Sequence, residues 1–200
     1  MEARAMCAGA PCWRPRRQRG VTLIVSLLML VAVLLLGAAS AGMALMGEKA
    51  ARAERDRQVA LQAAEDALMD AEHDIDGAVA ERATALEAPG GFAPGCGTGP
   101  ALGLCAQQAA GDLPPWQTVD LAAGDAAVPL GRFTGATMET GEGVLPLRRP
   151  RYVIERLPYH RPGEEVGAAP RFFYRVTAIG FGSRDETQVV LQAAYRRPDE

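Results

Sequence analysis

Charge is missing from one long stretch of this 200-residue sequence. No Asp, Glu, Lys or Arg occurs between Arg19 and Glu48. A bilayer-spanning helix needs about 20 mostly apolar residues, and residues 21–46 supply them. The arginines precede this run, so the positive-inside rule predicts a cytoplasmic N-terminus with everything after Met46 on the other side.

Two other interpretations of the same run stay open at this point. A secretory signal has a basic region, a short apolar stretch and a small-residue cleavage site. Residues 23–36 followed by Ala39-Ser40-Ala41 fit that description and would give a product that begins near Gly42. A simple single-span anchor would retain the whole N-terminus.

Histidine is scarce, and no catalytic constellation emerges. His73 and His160 are the only two histidines, each without a partner at motif spacing. His73 lies among four acidic residues (Asp70, Glu72, Asp74 and Asp76), but calcium ligands are folded around a turn rather than spread along a helix. We interpret this cluster as a solvated helix face, and we expect no metal, no cofactor and no enzymatic activity.

Proline is absent from residues 48–86, which are rich in Ala, Glu, Arg, Gln and Leu. These are strong helix formers, so the membrane and soluble halves together predict one helix of roughly 65 residues, ended by Pro89-Gly90-Gly91. Gly37, Gly42 and Gly47 are the predicted places for a bend. An apolar stripe recurs at helical spacing: Leu61, Ala64, Leu68, Ala71, Ile75 and Ala78.

The remaining residues predict a small head. Residues 92–149 are rich in Gly and Pro and indicate mostly loop. Three β-rich segments follow at 151–157, 172–179 and 187–195, the last two joined by a hairpin at 180–186. An antiparallel sheet with one apolar face needs a cover, and the helix stripe provides one. The predicted fold class is α+β, a long N-terminal helix packed on a small antiparallel sheet.

The N-terminal segment resembles a type IV prepilin. Residues 18–24 (QRGVTLI) are similar to the processing site of that family, in which a prepilin peptidase cuts after the glycine and the new N-terminus is methylated. The resemblance implies cleavage between Gly20 and Val21 and methylation of Val21. The predicted organisation is then a leader at 1–20, a membrane and filament-core helix at 21–46, its amphipathic continuation at 47–88 and the head at 89–200.

Processing would change the cysteine content and the charge. Cys7 and Cys12 lie in the leader, so Cys96 and Cys105 would be the only pair left. An oxidising compartment favours a disulfide between them, whereas two Cys without a close His are too few for structural zinc. Residues 1–20 hold five of the 21 basic and one of the 24 acidic residues, which leaves 16 and 23, a net charge of −7. Such an acidic chain is a poor binder of nucleic acid, and we interpret Arg148, Arg149 and Arg151 as a solvated strand end.

Three further segments resemble the PilX-type minor pilins of type IV pili. They are residues 55–68 (RDRQVALQAAEDAL), residues 173–180 (FYRVTAIG) and residues 189–197 (VVLQAAYRR), with a cysteine segment at 103–105. The resemblance implies a low-abundance subunit that primes pilus assembly and lies near the pilus tip. It implies an inner-membrane precursor with a periplasmic C-terminus, and a role in adhesion and twitching motility. Its partners would be other minor pilins, the major pilin and a tip-associated adhesin.

One position departs from the usual pilin pattern. Most pilins carry a glutamate at the fifth mature position, thought to pair with the N-terminal amine of a neighbouring subunit, and here that position is Val25. Without this glutamate, the chain resembles a subunit that need not dock beneath another. A minor pseudopilin at the tip of a type II secretion pseudopilus shares it and remains an alternative. A signal-anchored envelope protein with a small binding head is the other.

The leader interpretation predicts a defined mature terminus. Mass spectrometry of protein extracted from membranes should find a chain that begins with methylated Val21. Gly20→Leu should block the cut, because the peptidase requires a residue without a side chain there, whereas Gly9→Leu should be processed normally. A terminus near Gly42, or an intact leader, would contradict the prepilin interpretation.

Overall fold

The computed structural model describes residues 20–77, 79–88, 90–160, 163 and 171–197. By internal contacts the chain forms two units, residues 1–49 and 50–200. Within these residues there are three α-helices (α1, Val21–Gly77; α2, Ala80–Glu87; α3, Pro115–Thr118) and five β-strands (β1, Leu104–Cys105; β2, Val128–Pro129; β3, Arg151–Tyr159; β4, Arg171–Phe181; β5, Gln188–Tyr195).

In the first unit, every described residue from Gly20 onward is exposed. Residues 21–49 belong to α1, and the apolar part of this helix is long and apolar enough to cross a membrane. Gly37, Gly42 and Gly47, the positions predicted for a bend, all have helical backbone. Exposed leucines and valines in such number are typical of surfaces that contact lipid or other proteins.

The second unit is the head together with residues 50–77 of α1. The sheet runs in the order β1-β3-β4-β5, with β2 paired to β3. The pairs β3–β4 and β4–β5 are antiparallel, in the registers Val153↔Thr177 and Ala178↔Leu191. The three predicted strands and the hairpin that joins the last two are therefore confirmed to within two residues at each end.

Two features of the head differ from the prediction. The helix does not continue to Leu86: α1 ends at Gly77, Val79 has non-helical backbone (φ −41°, ψ 141°), and α2 begins at Ala80. The sheet is mixed rather than antiparallel, because β1 pairs with β3 in parallel. Pro89 of the predicted helix stop and Ala78 of the predicted apolar stripe lie outside the described residues.

The sheet is covered on both faces. A helix-side core joins α1 to residues of β3 and β4 that share one face, and contains Ala67, Ala71, Ile75, Tyr152, Ile154, Tyr174, Val176 and Ala178. A loop-side core lies on the opposite face and contains Cys96, Cys105, Leu121, Ala127, Val153, Ile179 and Phe181. The Gly- and Pro-rich segment predicted as loop therefore supplies a layer of its own.

The face of α1 that packs on the sheet consists mainly of alanine. Ala60, Ala63, Ala64, Ala67 and Ala71 are all at most 1% exposed, whereas Leu61 and Leu68 of the predicted stripe are only half-buried. Small side chains let the helix approach the strands closely. The closest approach is at Gly180, where a Cβ atom would lie 2.1 Å from the Ala60 carbonyl oxygen and 2.4 Å from the Ala64 nitrogen.

This approach predicts that Gly180→Ala destabilises the head. The added methyl group meets helix backbone, which cannot rotate away as a side chain can, so the helix must shift from the sheet. Overpacking of this kind costs typically about 1–3 kcal/mol. Chemical unfolding followed by circular dichroism measures the effect. Gly90→Ala is the control, because nothing lies within 4 Å of its Cβ position, and equal stabilities of the two variants would contradict the close contact.

Candidate functional site

The predicted processing site is open to solvent. Gly20 directly precedes α1, is exposed, and has no heavy atom within 4 Å of its Cβ position. Val21 is 58% exposed and Val25 is 49% exposed. Within the described residues nothing covers the Gly20–Val21 bond, so cleavage and methylation here stay predictions that the geometry permits.

A disulfide joins Cys96 and Cys105. Both residues are buried in the loop-side core. Cys96 has positive φ (67°) between Gly95 and Gly97, which also have positive φ. Leu104 and Cys105 form β1, so the disulfide attaches the start of the loop segment to the sheet.

Three aspartates lie on the buried face of α1 among the alanines. Asp56, Asp70 and Asp74 are 5%, 3% and 0% exposed. Their spacings of 14 and four residues keep them on one side of a helix with 3.6 residues per turn. A buried carboxylate is costly unless it is paired and hydrogen-bonded, so the partner of each one shows how the head is held.

Asp74 is the most deeply buried of the three and binds an arginine of α2. Arg82 donates to Asp74 from Nε (3.0 and 3.1 Å) and from Nη2 (2.7 Å), and the two side chains are 1% and 0% exposed. Arg82 Nη1 donates to the carbonyl oxygens of Pro100 and Leu102, at 2.8 and 2.7 Å. The guanidinium group also lies 4.1 Å from the ring centroid of Phe133. One arginine thus ties α1, α2 and the loop segment together.

The sheet contributes a second partner to Asp74. The Tyr152 hydroxyl donates to Asp74 Oδ2 at 3.0 Å. Burial, and then the charges of Asp74 and Asp70, raise the pKa of Tyr152 far above its usual value. The phenol therefore stays protonated and remains a hydrogen-bond donor to Asp74.

The other two aspartates hold loops. Asp70 accepts hydrogen bonds from the backbone nitrogen of Gly131 (2.8 Å) and from the Thr134 hydroxyl. Asp56 accepts from the nitrogen and hydroxyl of Ser183, both at 2.6 Å, and from Arg184 Nε at 2.9 Å. Burial favours a higher pKa for Asp56, but the hydrogen bonds from Ser183, Thr187 and Arg184 outweigh it and hold the pKa well below its usual value. Asp56 thus remains charged throughout the physiological range.

The comparisons with known proteins agree with this architecture. The PilX N-terminal profile matches residues 19–68, and the profile described as type IV pilus assembly protein PilX C-term matches residues 101–197. The two profiles occur in the expected order and together cover most of the chain. The chain belongs to the PilX family. No curated protein and no solved structure matches it.

Membership of the PilX family makes the chain a type IV pilus assembly protein, a class that associates with other components of the pilus. The N-terminal profile includes Gly20, Val21 and Val25, and the C-terminal profile includes Cys105 and all of β1 to β5. Asp56 lies in the segment that the N-terminal profile matches, and Asp70 lies just after it. Their partners, Ser183 and Gly131, lie in the segment that the C-terminal profile matches.

Two interpretations from the sequence are wrong for part of their residues. The acidic cluster around His73 is not simply a solvated face: Asp70 and Asp74 are buried in contacts with the head, and Asp76 accepts a 2.5 Å hydrogen bond from the Tyr195 hydroxyl. In the described part of the chain no three His, Cys, Asp or Glu residues are grouped to hold a metal ion. Arg149 is exposed, as a solvated strand end predicts, but Arg148 and Arg151 donate to the carbonyl oxygens of Ala122 (3.2 Å) and Gly124 (2.7 Å).

Sequence reasoning missed the aspartate contacts, although a signal was present. Asp56, Ala60, Ala63, Ala67, Asp70 and Asp74 recur at three- and four-residue steps, which places the three carboxylates in phase with the alanines. No comparable pattern pointed to Arg82, because its partners are distant carbonyl oxygens as well as Asp74.

Removing one partner of the buried pair should strongly destabilise the head. Asp74→Asn leaves the Arg82 guanidinium buried without a counter-charge, a change that costs typically about 3–5 kcal/mol. The free energy of unfolding in urea measures this loss. Asp185→Asn is the matched control, because its ion pair with Arg148 (3.0 Å) is largely exposed and exposed pairs are worth about 0–1 kcal/mol. Similar losses in the two variants would show that the Asp74 contact is not essential for the fold.

Proposed function

We propose that this PilX-family protein is a minor pilin that primes assembly of a type IV pilus and lies near its tip. Before assembly it is a single-pass inner-membrane protein with its head in the periplasm. Prepilin peptidase removes residues 1–20, and Val21 becomes the methylated terminus. It acts without catalysis, through contacts with other minor pilins, the major pilin and a tip-associated adhesin.

The observation that carries this proposal is the contrast between the two parts of α1. In residues 21–46 the apolar side chains are exposed, whereas in residues 56–75 the inward face is covered by the chain's own sheet. The buried face of the second part is therefore unavailable to a partner. Contacts between subunits would come from the uncharged segment, by helix bundling, and from the loops of the head.

The tip position is inferred from Val25. A shaft subunit both docks below one neighbour and is docked upon by the next. A carboxylate at the fifth mature position would support the first contact by pairing with an amine in an apolar surrounding, where an unpaired charge is costly. Valine cannot form that pair, so the chain is suited to a position with no subunit above it.

Deletion of the gene should sharply reduce surface pili while the major pilin remains in the inner membrane. Complementation with the wild-type gene should restore them, and immunogold labelling of the restored subunit should be sparse and concentrated at filament ends. Electron microscopy and membrane fractionation measure both results. Normal piliation and motility after deletion, or loss of secretion without loss of pili, would overturn the proposal and favour the envelope or pseudopilus alternatives.

A substitution at the fifth mature position isolates the tip inference. Val25→Glu supplies the missing carboxylate and should let the subunit enter the shaft, which moves part of the label away from the filament ends. Val25→Leu keeps the position neutral and should leave the labelling unchanged. Dense shaft labelling of the wild type, or identical labelling for all three forms, would contradict the role assigned to Val25.

A further inference from the structure

A cavity of about 290 Å³ lies in the head unit beside residues 52–59 of α1. Arg52, Arg55 and Arg184 line it together with Asp56, Val59, Gly143, Val144 and Ser183. Three guanidinium groups and one carboxylate give this arginine cavity a formal charge of +2. That sign is opposite to the net charge of −7 for residues 21–200, so the cavity is a local exception in an acidic chain.

The carboxylate in the cavity does not neutralise the arginines fully. Asp56 is occupied by Ser183 and by Arg184 Nε. Among the described residues, none forms a hydrogen bond or an ion pair with Arg55. An arginine that lines a concave surface without a carboxylate of its own can bind an external anion. Its planar fork matches a phosphate group with two parallel hydrogen bonds.

The position along the chain indicates which phosphate is close. The uncharged segment ends at Met46, and Arg52 and Arg55 follow it by six and nine residues. At 1.5 Å per residue this is roughly 9 and 14 Å of α-helix. The polar layer on each side of the hydrocarbon core is about 5–8 Å thick, and arginine side chains extend toward that layer while their stems remain on apolar surface.

We propose that the arginine cavity binds the phosphate group of a membrane phospholipid at the periplasmic surface of the inner membrane. This rests on the proposed membrane location of the unassembled subunit. Arg55 contacts the phosphate oxygens, and Arg52 and Arg184 add positive charge, Arg184 while it remains paired with Asp56. The bound headgroup would tether the unassembled subunit to membrane lipid before it enters the filament.

The test uses the full mature chain in neutral detergent, titrated with dihexanoyl phosphatidylglycerol and followed by native mass spectrometry. Arg55→Gln and the double variant Arg52→Gln/Arg55→Gln should weaken binding at least about tenfold, because each loses a charge-assisted hydrogen bond. Arg57→Gln is the matched control, since it removes the same charge from the same helix outside the cavity lining. It should bind within about twofold of the wild type.

Two further ligands separate the sources of the signal. Dihexanoylglycerol has the same acyl chains without phosphate and should not bind, and inorganic phosphate should bind more weakly than the lipid. Equal affinity of Arg55→Gln and the wild type, an equal loss in Arg57→Gln, or binding of dihexanoylglycerol would overturn the proposal. Tighter binding of inorganic phosphate would assign the cavity to a free anion instead and overturn the lipid assignment.

The outcome is independent of the pilus experiments. Thermal unfolding of Arg55→Gln should match that of the wild type, so that a lost signal cannot be attributed to a misfolded head. Lipid binding with normal piliation after gene deletion would remove the proposed function and leave the lipid site. Piliation defects in the deletion, with unchanged lipid affinity in Arg55→Gln, would support the proposed function and remove the lipid site.

Discussion

The head depends on one buried pair, Asp74 with Arg82. Asp74 belongs to α1, Arg82 belongs to α2, and Tyr152 from the sheet donates to the same carboxylate. Removing two charges from water is costly, and good geometry with further hydrogen bonds is needed to offset it. Here both charges have their partners, and the remaining arginine donors reach the loop segment at Pro100 and Leu102. Helix, sheet and loop therefore adopt one arrangement that satisfies all of these groups together.

The alanine face of α1 makes this arrangement possible. Large side chains would hold the helix further from the strands, and short aspartate side chains could then not reach Ser183, Thr134 and Arg82. Close packing next to Gly180 supplies van der Waals contact, and the aspartates fix the register of the helix on the sheet. An alanine surface alone has few features to prevent sliding, so apolar packing and polar contacts have separate tasks here.

The sequence predicted the long helix, the three long strands and the cysteine pair, because each has a strong local signal: an uncharged run, β-branched alternation and a count of cysteines. It did not predict the helix end at Gly77, since a single glycine in an alanine-rich segment is weak evidence for a break. It also missed β1 and β2, because each of these strands has only two residues. It missed the loop-side core because apolar side chains such as Leu121 are isolated in the sequence and form no repeating pattern. The partners of Asp70 and the carbonyl partners of Arg82 lie more than 15 residues away along the chain, and no local pattern encodes such contacts.

The spacing of the three aspartates also has a mechanical meaning. Asp56 and Asp74 are 18 residues apart, roughly 27 Å along a helix, and Asp70 lies between them. A force directed along the helix axis loads all three contacts at once in shear, so none can break before the others are strained. A force perpendicular to the axis loads them one after another, beginning at one end. The head is therefore built to resist traction along its helix better than peeling away from it.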